Sequence, residues 1–184
     1  MQALVIHHKT VQRHRVLSLI TQQQPLTFAT VFGAAYSASR ARASTAYALV
    51  DIEWQHKQIS HIELLQAYDN IPNHLSRYYL AAEWSKIIID TKGFGQDHHL
   101  FDIMLLLLDN LNNVSIDLDS LNIYANMIFL WLYGQLDMVN LPYAHYITDY
   151  LQFDMHWLNP SLMQIWQDFL QKNGLKWFCH VHVF

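Results

Sequence analysis

Twelve histidines and a single cysteine, Cys179, are the side chains best suited to metal or nucleophilic chemistry in this 184-residue chain. Their spacing argues against both uses. The histidines fall mostly singly or as adjacent pairs, His7–His8 and His98–His99. Adjacent residues point to opposite faces of a strand and lie about 100° apart on a helix, so such a pair does not chelate readily. His180 and His182 are the one couple that could share a strand face, and an ordinary surface strand accounts for them better. A lone cysteine forms no intramolecular disulfide and no multi-cysteine zinc site, and no activating base can be assigned to Cys179. There is no glycine-rich phosphate loop and no serine in a G-x-S-x-G setting. The expectation is a protein that is not an enzyme and uses no cofactor and no metal.

The cations are more informative. Residues 1–50 contain no Asp or Glu but carry Lys9, Arg13, Arg15, Arg40 and Arg42, with His7, His8 and His14 nearby. This head has a formal charge of +5, and the remaining residues, with six bases and all fifteen acids, come to −9. The mild overall charge of −4 hides a basic head on an acidic body. Such an asymmetry suggests an anionic partner, most often nucleic acid, although a chance cluster of solvated charges accounts for it equally well. Lys9, Arg13, Arg15, Arg40 and Arg42 are therefore candidate phosphate contacts. Arg13 and Arg15 share strand parity, so both are expected to face one groove. Tyr36 lies where it could stack on a base or pack on the rim of the fold.

Elements must position these residues. An apolar fraction of 52% with only 14% charged residues supports a core and excludes a disordered chain. The greasiest run, Ile103 to Leu108, is far short of a membrane span; the reading is a soluble, cytoplasmic protein with no membrane partner. From Gln2 to about Asp69 the pattern is β, with five short strands broken at Gln22–Pro25, Gly33 and Gln55–Gln58. Ala34 to Ala46, small, polar and basic, reads as a loop. Closing so short a sheet into a barrel removes its two edges. A five-stranded barrel of the OB type is the natural candidate; an SH3-like barrel fits the same periodicity. Beyond Ile71–Pro72 the pattern becomes helical. Asn73 is expected to cap a helix to Asp90 that carries Leu75, Tyr78, Tyr79, Ala82, Lys86 and Ile89 on one side. Asp97 caps the next, with Leu100, Phe101, Met104, Leu105, Leu108 and Leu111 on its face. Asp119 or Ser120 caps a third that ends at Gly134. Shorter helices are expected over Tyr143–Tyr150 and from Asn159 and Pro160 to Gly174. The fold class is α+β, a barrel over residues 1–71 followed by an all-helical domain over 72–184.

The layout resembles a known family, the bacterial recombination mediator RecO, over roughly Leu4 to Gly134 and more weakly to Leu170. Leu4-Val-Ile-His-His-Lys looks like the family's opening strand "xVLxxR". Leu17 to Thr21 and Leu26 to Gly33 follow its next two segments in order. Gly33-Ala-Ala-Tyr-Ser-Ala-Ser-Arg-Ala-Arg is similar to its "GARxxxSRxRxxL" loop. Leu75 to Trp84 looks like its "YxxELL" helix, Leu100-Phe101-Asp-Ile-Met-Leu like "LFxxLL", and Leu130 to Gly134 like "LLxxLG". Phe32 stands where the family strand usually ends in Lys, and the four-cysteine zinc site of many members is absent.

The resemblance implies that the barrel binds single- and double-stranded DNA and that the protein anneals strands. It implies that the helical domain touches the acidic tail of the single-stranded-DNA-binding protein. A further partner, RecR, would help to load the recombinase RecA during DNA repair. Lys9 and Arg40 lie closest to basic positions of the family motifs. In the helical part Arg77, Lys86 and Lys92 are candidates to receive the acidic tail, although no motif residue supports them and a solvated helix face explains each as well. The alternative is a protein-interaction module that keeps the fold and not the DNA.

Overall fold

The computed structural model describes residues 1–94, 99–148 and 160–173. Its first half is the expected closed barrel of five strands: β1 Gln2–Val11, β2 His14–Thr21, β3 Thr27–Val31, β4 Ala48–Gln55 and β5 Gln58–Ala67. The strands are ordered β1-β2-β3-β5-β4, and β1 pairs with β4 to close the ring. All pairs are antiparallel except β3 with β5. This order is consistent with an OB-like fold. Strand alternation explains the interior. Ala3, Val5, Leu17, Leu19, Ala29, Val31, Val50, Ile52, Ile59 and Ile62 point inward and form one cluster.

The segment after Gly33 is not a loop. Ala34–Tyr36 makes a 3-10 turn and Ala38–Ala43 an α-helix, α1. The Ser37 hydroxyl accepts from the Arg40 amide at 3.4 Å, a serine N-cap. Alanine has the highest helix propensity. Its small side chains let this segment lie close against the barrel, where Ala34 and Ala43 join the interior cluster. Small residues that look disordered in sequence are here the means of close packing.

The second part is helical: α2 Asn70–Asn73, α3 Leu75–Asp90, α4 Leu100–Asn112, α5 Leu118–Leu132, α6 His145–Thr148 and α7 Pro160–Lys172. Three expectations change. Asn73 ends the one-turn α2 instead of capping α3, and His74 holds the cap position without a side-chain bond. The cap of α5 is Asp117, whose carboxylate accepts from the Ser120 amide at 2.9 Å. The buried side of α3 is Arg77, Leu80, Ala81, Trp84, Ser85, Ile87 and Ile88. The side with Leu75, Tyr78, Tyr79 and Lys86 is exposed; α3 is apolar around most of its circumference, so periodicity cannot choose. The expected face of α4 is buried apart from Leu105, which is only partly covered, with Ile103 and Leu107 added. Gly134 follows α5 at φ 69°, and the Gln135 amide reaches back to the Leu130 carbonyl at 2.9 Å. Asp97, Asn159, Gly174, Cys179, His180 and His182 lie outside the described residues.

The two parts share a core. Leu4, Ile6 and Ile20, on the outer face of β1 and β2, belong to the same cluster as Trp84, Met104 and Phe129. Each is fully buried, which contributes about 1.5–3 kcal/mol per side chain. No helix among the described residues is long and apolar enough to cross a membrane.

Candidate nucleic-acid interface

Barrel strands have an outer face, and the helices cover only part of it. Cross-strand partners share a face, so the register maps the remainder. Lys9 pairs with Val16 and Val16 with Thr30, while His7 pairs with Ser18 and Ser18 with Phe28. On β3 the inward residues are Ala29 and Val31, which leaves Phe28 outward, and Phe32 just past the strand end is also exposed, at 49% and 43% respectively. An apolar ring left in water on a strand invites a partner. The Phe32 ring meets the His14 imidazole edge-on, with centroids 4.6 Å apart. None of these residues is acidic. The carboxylates of the barrel, Asp51, Glu53 and Glu63, lie on β4 and β5. The barrel therefore has an aromatic, basic face over β1–β3 and an acidic one over β4–β5.

The candidate cations are distributed unequally around this face. Lys9 is exposed on β1. Arg13 lies in the turn between β1 and β2, where Gln12 takes φ 56°, and its guanidinium sits 5.1 Å from the centroid of the Tyr36 ring. Tyr36 is 66% exposed, so the pair forms a cation–π step beside the aromatic strand. Arg40 is exposed on α1, its Nη1 donating to the Phe32 carbonyl at 3.4 Å. Arg42 is exposed and lies 3.7 Å from the Asp69 carboxylate, a surface pair that solvent screens heavily.

Arg15 does not share a groove with Arg13. It pairs with Val31, an inward residue, so it lies on the inward face of β2. There its Nη1 donates to the Ala41 carbonyl and, at 3.2 Å, to the Ser44 hydroxyl. Arg15 is half-buried and holds α1 against the barrel. Arg77 also departs from its expected place. It is buried, and its guanidinium donates to the carbonyls of Leu111, Val114 (3.1 Å) and Ile116 (3.5 Å). It satisfies chain ends between α4 and α5 that would otherwise lack donors, which removes it from the surface cations. Lys86 and Lys92 are exposed.

Sequence reasoning passed over Phe28 and Lys57 as site residues, and took Phe32 only as the loss of a lysine. Lys57 sits in the two-residue turn joining β4 to β5, with His56 at φ 49° and Lys57 at φ 66°. The Thr30 amide donates to the Lys57 carbonyl at 2.9 Å, which seats this turn beside β3. Two consecutive left-handed residues normally select Asn-Gly. Lys57→Gly is thus expected to raise stability by about 0.5–1 kcal/mol in urea denaturation, by removing a Cβ from a left-handed position. The same change removes a cation next to the aromatic strand and is expected to weaken nucleic-acid binding.

A cleft of about 740 Å³ opens where barrel and helices meet. Ile6, Tyr47, Tyr78 and Ala82 line it, together with the cations Arg42 and Lys86. Burial pushes the Tyr47 phenol up to about 12, so it stays a neutral hydroxyl at physiological pH. Among the described residues no three His, Cys, Asp or Glu side chains come together to hold a metal ion.

No protein-family model matches the chain, and no curated protein matches it.

Proposed function

We propose that this chain is a RecO-like recombination mediator whose barrel binds single- and double-stranded DNA across the outer face of β1–β3. The observation that carries the DNA reading is the exposed pair Phe28 and Phe32 on an acid-free face, flanked by Lys9, Arg13, Arg40 and Lys57. Aromatic rings stack on bases without regard to sequence, and cations around them hold the backbone. That combination suits annealing, in which the bases of a held strand are presented to a second strand. Duplex would be held by the same cations through phosphates alone. In this reading the protein acts on DNA coated by the single-stranded-DNA-binding protein, and with RecR it helps to load the recombinase RecA. The cleft, apolar inside with Arg42 and Lys86 among its lining, is suited to that partner's acidic tail.

Three or four phosphates neutralised by Lys9, Arg13, Arg40 and Lys57 give a slope of roughly −2 to −3 in log K against log[salt] on single strands, at about −0.7 per contact. Fluorescence-anisotropy titration of the full chain with a labelled oligonucleotide reads this directly. Lys9→Glu with Arg40→Glu is expected to abolish binding at moderate salt. Unchanged affinity in that variant would remove these residues from the interface. The second reading, a protein-interaction module, draws on the same cleft and on the internal commitment of Arg15; it predicts partner binding with no DNA mobility shift.

A further inference from the structure

The segment 33–46 carries Tyr36, Arg40 and Arg42, and side chains from β1 and β2 hold it at three points. At its start the Gly33 amide donates to Nδ1 of His14 at 3.2 Å. At its end the Ala46 amide donates to Nδ1 of His8 at 3.1 Å. Between them Arg15 grips the Ala41 carbonyl and the Ser44 hydroxyl. Two imidazoles thus bond the two ends of one segment, each through the same ring nitrogen acting as acceptor. An imidazole accepts at Nδ1 only when neutral, with its proton on Nε2; protonated, both nitrogens are donors.

We propose that His8 and His14 form a proton-operated clasp on the arginine-bearing segment. Protonation of either ring puts an N–H against a backbone N–H, so the bond at that end is lost. The surroundings offer the imidazolium no compensation. His8 feels Arg15 of the neighbouring strand and the adjacent His7, and in the cleft it shares walls with Arg42 and Lys86 of the helices and the phenols of Tyr47, Tyr68 and Tyr78. The one carboxylate there, Asp69, is paired with Arg42. His14 faces the Phe32 ring, with Arg13 and Arg15 beside it in the chain and Arg40 bonded to the Phe32 carbonyl. Burial and then Arg15 hold His8 below its usual 6.5. The folded protein therefore prefers the neutral His8 ring. The stability from the His8 bond is fully present above the unfolded value of 6.5 and is lost as pH falls from there through the lowered folded value. Acidification frees the segment while Arg15 keeps its middle attached.

The clasp is a property of the free protein and is read without DNA, so it stands or falls separately from the DNA reading. Amide hydrogen exchange of the full chain at pH 7.5 and 5.5, corrected for intrinsic exchange, tests it on the Gly33 and Ala46 amides, whose acceptors are the two rings. Protection of these amides is expected to fall at least about tenfold relative to β4–β5 amides. In His8→Gln with His14→Gln, whose amide oxygens accept but do not titrate, the fall is expected to vanish. Equal protection at both pH values in the unaltered protein, or an equal fall in the variant, overturns the clasp. Imidazole nitrogen shifts of the unaltered protein at pH 7.5 give a check that needs no variant. His8 and His14 should both show the Nε2–H tautomer, and an Nδ1–H tautomer at either contradicts the proposal.

Discussion

Phe28→Ala with Phe32→Ala is expected to weaken binding of single-stranded DNA by at least about 30-fold. Each base stacked on an aromatic side chain contributes about 1–3 kcal/mol, and 1.4 kcal/mol is a factor of ten, so the loss of two platforms costs roughly 2–6 kcal/mol. The fold should tolerate the change, because both rings are exposed and neither belongs to either buried cluster. Duplex binding should fall much less, since paired bases cannot stack on the strand and only the phosphate contacts remain. Parallel anisotropy titrations with single-stranded and duplex oligonucleotides separate the two contributions. Equal losses on both would mean that the rings support the face instead of touching bases. No loss on either would move the binding site elsewhere.

Arg77→Ala is expected to cost the fold on the order of 3–5 kcal/mol. A hydrogen bond to a charged group contributes roughly 1.5–3 kcal/mol, and truncation leaves buried carbonyls without donors. The guanidinium serves three of them, at Leu111 in the last turn of α4 and at Val114 and Ile116 in the connection to α5. A loss of this size is a large part of the 5–15 kcal/mol that typically stabilises a domain. Arg77→Lys should recover only part of it, because an ammonium lacks the planar fork that reaches several acceptors at once. Urea denaturation followed by circular dichroism measures the difference, and a change under about 1 kcal/mol would return Arg77 to the surface cations.

Arg77 also shows where the sequence stops being legible. In the chain it is one more cation on a helix, indistinguishable from Lys86. Only the packing of α3 against the α4–α5 connection turns it inward. Arg15 teaches the same lesson within the barrel. Strand parity places it with Arg13, but the chain turns between β1 and β2 at Gln12 and Arg13, so the shared parity has no shared strand. The barrel itself was readable because each strand alternates and each ends at a turn residue. The face of β3 was not. Phe28 and Phe32 alternate with Ala29 and Val31, and composition alone would put the phenylalanines inside. The barrel interior takes Ala29 and Val31 instead. Phe32, read in sequence as the loss of a lysine, becomes an exposed aromatic ring beside His14. The Ala-rich segment after Gly33 was misread because its small residues signal either a loose loop or a tightly packed helix, and only the barrel wall beneath it decides.

In the proposed function DNA lies on the outer face of β1–β3. Amide chemical-shift mapping of the full chain with a short single-stranded oligonucleotide tests this most directly. The expected result is a contiguous set of shifts over His7 to Val16, Phe28 to Arg40 and Lys57, fading as salt is raised, with α4, α5 and the acidic β4–β5 face unmoved. Shifts confined to the helices or to the cleft, or none at concentrations that saturate other strand-binding barrels, would contradict it.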